Sequence, residues 1–137
     1  MNIKIPIILS VLLLVVGILM GKWFGLHSFD HFDTVLHFIG GFLIAWLALS
    51  ILGKKINSYS KAGAIILVII LVLTVGIVWE IAEHISGRYG QEYFPLIYGY
   101  FHGGDPKDTM IDLVADSVGG LLFIIAWMII KKPKFNN

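Results

Sequence analysis

The sequence predicts an all-α integral membrane protein with four transmembrane helices and both termini in the cytoplasm. Three observations support this fold class: four long apolar blocks, a high apolar content, and basic residues confined to a few short segments. Hydrophobic residues make up 58% of the 137 residues and charged residues only 14%, with a mean hydropathy of +0.88. A soluble domain would have to present more polar surface to water. We therefore expect a single membrane domain over residues 1–137.

The four apolar blocks have the lengths of membrane-crossing helices. The predicted spans are residues 5–21, 34–52, 62–85 and 109–130. Each is near the roughly 20 residues that an α-helix needs to cross about 30 Å of hydrocarbon. The first block lacks a small-residue cleavage site, so we interpret it as a retained span rather than a signal peptide. Close packing between helices is expected at Gly63, Gly76, Gly119 and Gly120.

The distribution of lysine predicts the orientation of the chain. Basic residues cluster near the N-terminus, in the second connection and in the tail: Lys4, Lys54, Lys55, Lys61, Lys131, Lys132 and Lys134. The positive-inside rule then places these segments in the cytoplasm. The first connection and the third, residues 86–107, are expected on the outer side.

Acidic and histidine residues recur in or beside three of the predicted spans. They are Asp33 and His37 at span two, Glu80, Glu83 and His84 in span three, and Asp108, Asp112 and Asp116 at span four. Within each group, spacings of three or four residues are expected to place the side chains on one helix face. In the predicted orientation all three groups lie at similar depths, towards the outer side.

Burying several carboxyl groups in a membrane requires compensation. An acidic residue near the centre of a span costs roughly 2.5–3.5 kcal/mol on insertion scales. Spans two to four contain no lysine or arginine, so His37, His84 and a bound divalent metal ion are the available counter-charges. Mixed carboxylate and histidine ligands suit zinc, manganese or iron, whereas an all-oxygen subset would suit magnesium or calcium.

The predicted metal ligands are Glu80, Glu83, Asp108, Asp112 and Asp116, with His37 or His84 as a further ligand or general base. Structural interpretations remain open for several of these residues. Glu83 and His84 can emerge at the membrane interface. Glu80, Asp112 and Asp116 lie a turn or more inside, where the alternative to a functional role is a hydrogen-bonded network.

Helix capping is a second structural interpretation. Asp105 before Pro106 has the pattern of a helix start, with Asp105 as the N-cap. Asp108 would then lie in the first turn, where capping and metal ligation are equally compatible with the pattern. Asp30 or Asp33 could cap the second span in the same way.

Three ordered motifs carry a family resemblance. They are Asp33-Thr34-Val35-Leu36-His37-Phe38, Trp79-Glu80-x-x-Glu83, and Gly104-Asp105-x-x-Asp108-x-x-x-Asp112 followed by Gly119-Gly120. Together they resemble the VanZ-like small bacterial membrane proteins, and among these the YjdF-type inner-membrane proteins, over spans two to four. The residues that match the family's polar positions are Asp33, His37, Glu80, Glu83, Asp105, Asp108 and Asp112.

The sequence departs from that family at Thr34, where a basic residue is usual, and it adds His84 and Asp116. The loss of the basic residue removes a ready partner for the carboxylates. The resemblance implies a multi-pass protein of the inner membrane with a role in the cell envelope, and it implies no established reaction.

Three functions are compatible with this pattern. The leading hypothesis is an outward-facing metal site that also binds an envelope lipid or lipid-linked headgroup, with metal-assisted hydrolysis or transfer as the natural chemistry of an enzyme. A proton-coupled transporter is the second, although the inner halves of the spans are nearly pure Leu, Ile and Val. A non-catalytic structural or assembly protein is the third. Membrane lipids are the expected partners, and the sequence leaves the oligomeric state undetermined. The net charge of +1 argues against nucleic-acid binding.

Overall fold

Four α-helices form in the order that the hydropathy predicts. The computed structural model describes residues 1–24, 31–93 and 105–135. The helices are α1 (Lys4–Phe24), α2 (Phe32–Leu52), α3 (Lys61–Tyr93) and α4 (Pro106–Lys131). A short 3₁₀ helix, Gly53–Ser58, connects α2 to α3. The predicted all-α fold with four helices is therefore confirmed.

The helices have the dimensions of membrane spans. Among the described residues, three helical segments are long and apolar enough to cross a membrane: Phe32–Ser58, Lys61–Tyr89 and Pro106–Lys131. The apolar part of α1, Lys4–Met20, is shorter. Large aliphatic side chains such as Ile66, Val78 and Ile129 are exposed on the outer faces of the helices, where a bilayer would cover them. The chain is thus a multi-pass membrane protein.

Helix α3 continues beyond the predicted end of its span at residue 85, and it ends at Tyr93. The added turns contain Arg88 and Glu92, so their hydropathy is low. Hydropathy indicates where the apolar environment ends, whereas a helix can continue into the interface because it satisfies its own backbone hydrogen bonds.

Close packing of α2 against α4 organises the bundle, since α2 makes its most extensive contacts with α4 and also touches α1 and α3. A Cβ atom added to Gly41 would overlap the backbone carbonyl of Asp116, and one added to Gly119 would overlap that of Phe38. Two glycines therefore let the two backbones touch, as small residues do between membrane helices. Gly119 was predicted at such a position, and Gly41 was not.

The other predicted packing glycines divide into two groups. Gly120 on α4 lies against Val72 of α3, and Gly76 on α3 lies against the carboxylate of Asp116. Both are contacts between helices, as predicted. The prediction was wrong for Gly63, whose three nearest neighbouring atoms belong to the residues just before its own helix.

The interior of the bundle has an apolar half and a polar half. The apolar core surrounds the connection between α2 and α3 and comprises Ala45, Ala48, Leu49, Ile56, Ala64, Val68, Val72 and Ile124. Met1, Lys54 and Lys131 border one surface depression at that end, so the basic segments lie together. The polar half lies at the other end, where α2 and α4 begin. The cytoplasmic location of the basic end stays a prediction.

Candidate functional site

Five ionisable side chains are buried in the polar half of the bundle. They are His37, Glu80, Glu83, Asp112 and Asp116, with exposed fractions of 6%, 8%, 4%, 1% and 5%. They come from the first turns of α2, the later part of α3 and the first half of α4. Neighbouring helices that cross a membrane in alternating directions bring these segments to one end. The structure therefore unites residues that are far apart in sequence.

His37 lies at the centre of this cluster and joins three helices. Its Nδ1 atom is 3.1 Å from Oδ2 of Asp116 on α4, and its Nε2 atom is 3.5 Å from Oε1 of Glu80 on α3. The Asp116 carboxylate has room beside α3 because residue 76 is glycine; a Cβ atom there would overlap Oδ2. The imidazole is thus fixed between two carboxylates.

Two further donors hold the glutamates of α3 in place. The Thr109 hydroxyl donates to Oε2 of Glu80 at 2.7 Å. The indole N–H of Trp79 donates to Oε1 of Glu83, also at 2.7 Å. Each carboxylate thereby has one oxygen fixed by a neutral donor, and the other oxygen of Glu80 lies beside Nε2 of His37.

Three atoms of the cluster are buried without a hydrogen-bond partner among the described residues: His37 Nε2, Glu80 Oε1 and Asp112 Oδ1. Thr34 forms a side-chain hydrogen bond with Asp112, yet Oδ1 remains unpaired. Leaving a buried polar atom unpaired costs about 1–3 kcal/mol. Such atoms are rare in folded proteins, and the presence of three in one cluster makes it a candidate binding site.

The same three residues have the composition and spacing of a metal site. One ligand atom from each of His37, Glu80 and Asp112 lies within 4.8 Å of the others. The 3.5 Å separation of His37 Nε2 and Glu80 Oε1 would subtend about 113° at a metal roughly 2.1 Å from each atom, which is close to the tetrahedral angle that zinc favours. The residue types and this distance are thus compatible with a divalent metal ion between His37 and Glu80.

Asp116 occupies a supporting position in this arrangement. In the neutral tautomer with the proton on Nδ1, His37 donates a hydrogen bond to the Asp116 carboxylate. Its Nε2 atom then carries the lone pair and faces Glu80. Carboxylates commonly orient metal-binding histidines in this way and raise their basicity. The sequence predicts Asp116 as a direct ligand; in the structure its carboxylate contacts Nδ1 of His37, and it belongs to none of the three ligand groups of the described residues.

The acidic cluster extends from His37 towards the start of α4. Asp33, His37 and Glu83 form a second group of three with ligand atoms within 4.8 Å, and Asp33, Asp108 and Asp112 form a third. Asp33 is half-buried and Asp108 is exposed. The structure thus brings all these predicted site residues to one end of the bundle.

Two of the predicted positions, His84 and Asp105, lie outside these groups, and the capping predictions have mixed outcomes. His84 is exposed and belongs to none of the three groups. Asp105 is the N-cap of α4, as the sequence predicts, because its carboxylate accepts from the backbone N–H two residues later. Asp33 lies within the first turn of α2 and does not cap it; the N-cap position is His31, without a side-chain cap. Asp30 lies outside the described residues.

Sequence reasoning did not identify Trp79, Thr109 or Gly76 as parts of the site. Each of them, however, lies three or four residues before a predicted site residue on the same helix. Trp79 lies four residues before Glu83, Thr109 lies three residues before Asp112, and Gly76 lies four residues before Glu80. Residues three or four apart are neighbours on a helix surface, so polar or small residues at these offsets mark the same face.

A cavity of about 270 Å³ adjoins the cluster between α1, α2 and α3. Its polar end is formed by Asp33, His37, Glu83 and Asp116. The rest of its wall is largely aliphatic and includes residues of α1.

The fold and the cluster define a multi-pass helical membrane protein with an acidic and histidine-containing site buried between three of its helices. The chain belongs to the family described as "Predicted membrane protein (DUF2238)", whose model matches residues 3–133. That description names neither VanZ-like proteins nor a reaction. The chain is also similar to a protein of Thermotoga maritima described as "Uncharacterized protein", with 32% identity over 102 residues. The matched segment is 73% of this chain, and it spans about half, 50%, of that curated relative. No solved structure matches the chain.

Proposed function

We propose that this protein binds one divalent transition-metal ion, with zinc the best fit, through His37, Glu80 and Asp112. The observation that carries the proposal is the set of three buried atoms, one on each residue, that lack a hydrogen-bond partner among the described residues. A single cation at their centre would satisfy all three. It would also offset the negative charge of carboxylates that have no lysine or arginine beside them in spans two to four.

The donor set favours particular metals. One imidazole nitrogen with two carboxylates suits zinc, manganese or iron, whereas magnesium and calcium prefer oxygen ligands alone. Three protein ligands leave a fourth position open, as in catalytic rather than structural zinc sites. A bound water in that position would be acidified, and Glu83 or Asp33 lies close enough to the cluster to exchange a proton with it.

We further propose metal-assisted hydrolysis or transfer on an envelope lipid of a bacterial inner membrane. Two features support this reaction class: the open coordination position and the location of the site within membrane-spanning helices. The VanZ-like resemblance supports an envelope role in the same way. His37 would act as a ligand, while His84, which is exposed and belongs to none of the three groups of the described residues, remains a predicted general base.

The rival functions make different use of the same residues. A proton-coupled carrier needs a polar path to the other side of the membrane, yet the core beyond the cluster is formed by residues such as Ala48, Val68 and Ile124. A purely structural network would need a doubly protonated His37 between Asp116 and Glu80. That network still leaves Oδ1 of Asp112 unpaired, so the metal site explains more of the geometry.

The test is the zinc content of the purified full-length chain after stripping with a chelator and reloading. We expect one zinc per chain in the parent and in a His84→Gln control, measured by elemental mass spectrometry. We expect zinc to be lost in Asp112→Asn, provided that the variant elutes as a single species in detergent. A parent that does not retain zinc, or an Asp112→Asn variant that retains it fully, would refute the proposal.

A further inference from the structure

The cavity beside the acidic cluster has the shape of a site for one apolar chain. Its aliphatic wall comprises Leu13, Leu14, Ile18, Leu36, Ile44, Val72 and Val75. Along α2 it extends from Asp33 to Ile44, which corresponds to about 16 Å at 1.5 Å per residue. Its volume of about 270 Å³ lies just below the usual range of ligand pockets, roughly 300–1,000 Å³. A space of this volume fits one apolar chain better than a two-chain lipid.

The cavity is polar only at one end. Asp33 and Glu83 lie there, and the Glu83 carboxylate is oriented by the Trp79 indole. Ligand pockets typically combine an apolar wall with a few fixed polar groups that orient the ligand. A molecule in this cavity would therefore place its apolar chain along α1 and α2 and its polar end between the two carboxylates.

The charge of that end selects the headgroup. Three carboxyl groups line it, on Asp33, Glu83 and Asp116, and those of Glu80, Asp108 and Asp112 belong to the adjoining acidic cluster. No lysine or arginine lines the described part of the cavity. A metal ion held by His37, Glu80 and Asp112 would leave the carboxyl groups of Asp33 and Glu83 available to a ligand in the cavity. An anionic headgroup would be repelled, and a cationic one would be attracted.

The cavity also has a route of entry from the membrane. Helix α1 packs mainly against α2, so helix packing does not seal the wall between α1 and α3. Leu14 on α1 and Val75 on α3 line the cavity, and each is 44% exposed, so neither is covered by a neighbouring helix. A lipid-soluble molecule could pass between them sideways.

From these observations we propose that the cavity binds a single-chain amphiphile with an ammonium headgroup, held between Asp33 and Glu83. This site is additional to the metal site at His37, Glu80 and Asp112. It uses carboxylates that the metal does not require, so the two proposals can succeed or fail separately.

The experiment measures binding of radiolabelled dodecylamine to the full chain in zwitterionic lipid nanodiscs, with empty nanodiscs as the background. We expect saturable binding of one amine per chain and much weaker binding of dodecyl phosphate. Glu83→Gln should weaken amine binding by about tenfold or more, because it removes a buried opposite charge. Leu13→Trp, which fills the cavity, should weaken it by about tenfold or more.

Leu12→Trp is the matched control, because Leu12 is adjacent in sequence but is exposed on the outer surface. It should bind the amine like the parent, and Leu13→Trp should keep the parent's zinc content. Amine binding by a zinc-free parent would support this proposal while refuting the metal site. The proposal is overturned if the amine does not bind saturably, if dodecyl phosphate binds as tightly, or if Leu13→Trp and Leu12→Trp behave alike.

Discussion

Gly76→Ala is the substitution that most sharply connects helix packing to the proposed metal site. The added methyl group would overlap Oδ2 of Asp116 and lie 3.1 Å from Cδ2 of Leu113. Overpacking of this kind costs about 1–3 kcal/mol, while replacing glycine inside a helix returns about 1 kcal/mol. The free energy of unfolding should therefore fall only modestly.

Zinc affinity is the more sensitive property of this variant. To make room, the Asp116 carboxylate must turn away, and the His37 imidazole then loses its 3.1 Å hydrogen bond. Loss of such an outer partner typically lowers metal affinity by about 10–100-fold. Zinc affinity is measured by competition with a chromophoric chelator, and the unfolding free energy by titration with sodium dodecyl sulfate in mixed micelles.

Gly63→Ala provides the matched control, because it makes the same change in the same helix. Its Cβ atom would lie 3.2 Å from Oγ of Ser60, which accepts from the Gly63 N–H and needs to shift by only a few tenths of an ångström. We expect zinc affinity like that of the parent and an unfolding free energy that rises by up to about 1 kcal/mol. If Gly76→Ala matches Gly63→Ala in both measurements, the proposed coupling between Gly76, Asp116 and the metal is refuted.

Three further substitutions separate the site from its surroundings, with the same two assays. Thr109→Val removes the donor to Glu80 and should lower the unfolding free energy by about 1–3 kcal/mol. Thr109→Ser keeps the hydroxyl group and should retain the parent's stability. Equal stability of the two variants would argue against this hydrogen bond. Asp105→Ala removes the N-cap of α4 and should cost about 0.5–2 kcal/mol with zinc affinity unchanged; zinc loss at full stability would contradict the assigned role. His84→Ala should change the unfolding free energy by no more than about 0.5 kcal/mol, because the residue is exposed. A large fall in zinc affinity would show that His84 is a metal ligand.

The fold class and the shared location of the polar groups could be predicted because both follow from membrane thickness. A hydrocarbon layer of fixed width determines the length of each helix and makes successive helices alternate in direction. Asp33, Glu80 and Asp112 therefore had to lie near one end of the bundle, whatever the details of packing. Lipid also offers no hydrogen bonds to the backbone, so only helices and closed barrels can span it.

The rotation of each helix about its axis could not be predicted in the same way. Glu83 and His84 are separated by about 100° around α3, so the inward position of Glu83 turns His84 outward. Which of the two faces inward depends on contacts between helices, such as those at Gly76 and Gly120. Hydropathy contains little information on such contacts, because lipid and aliphatic side chains are equally apolar.

The partner of each carboxylate depends on the same close contacts. Asp116 reaches His37 because Gly41 and Gly119 let α2 and α4 touch. The sequence has three aspartates at intervals of four on α4. That spacing does not show that Asp116 contacts His37 or that Asp112 lies near Glu80. Only the structure separates Asp116, which contacts Nδ1 of His37, from Asp112, which belongs to the group with His37 and Glu80.

X-ray absorption at the zinc edge, recorded on the zinc-loaded full chain and on His37→Gln, tests the central claim most directly. We expect four ligands in the parent: one imidazole nitrogen, with the remaining positions filled by oxygen at about 2.0–2.2 Å. The imidazole scattering should disappear in His37→Gln. An all-oxygen shell in the parent, or the same imidazole signal in both proteins, would contradict a metal site built on His37, Glu80 and Asp112.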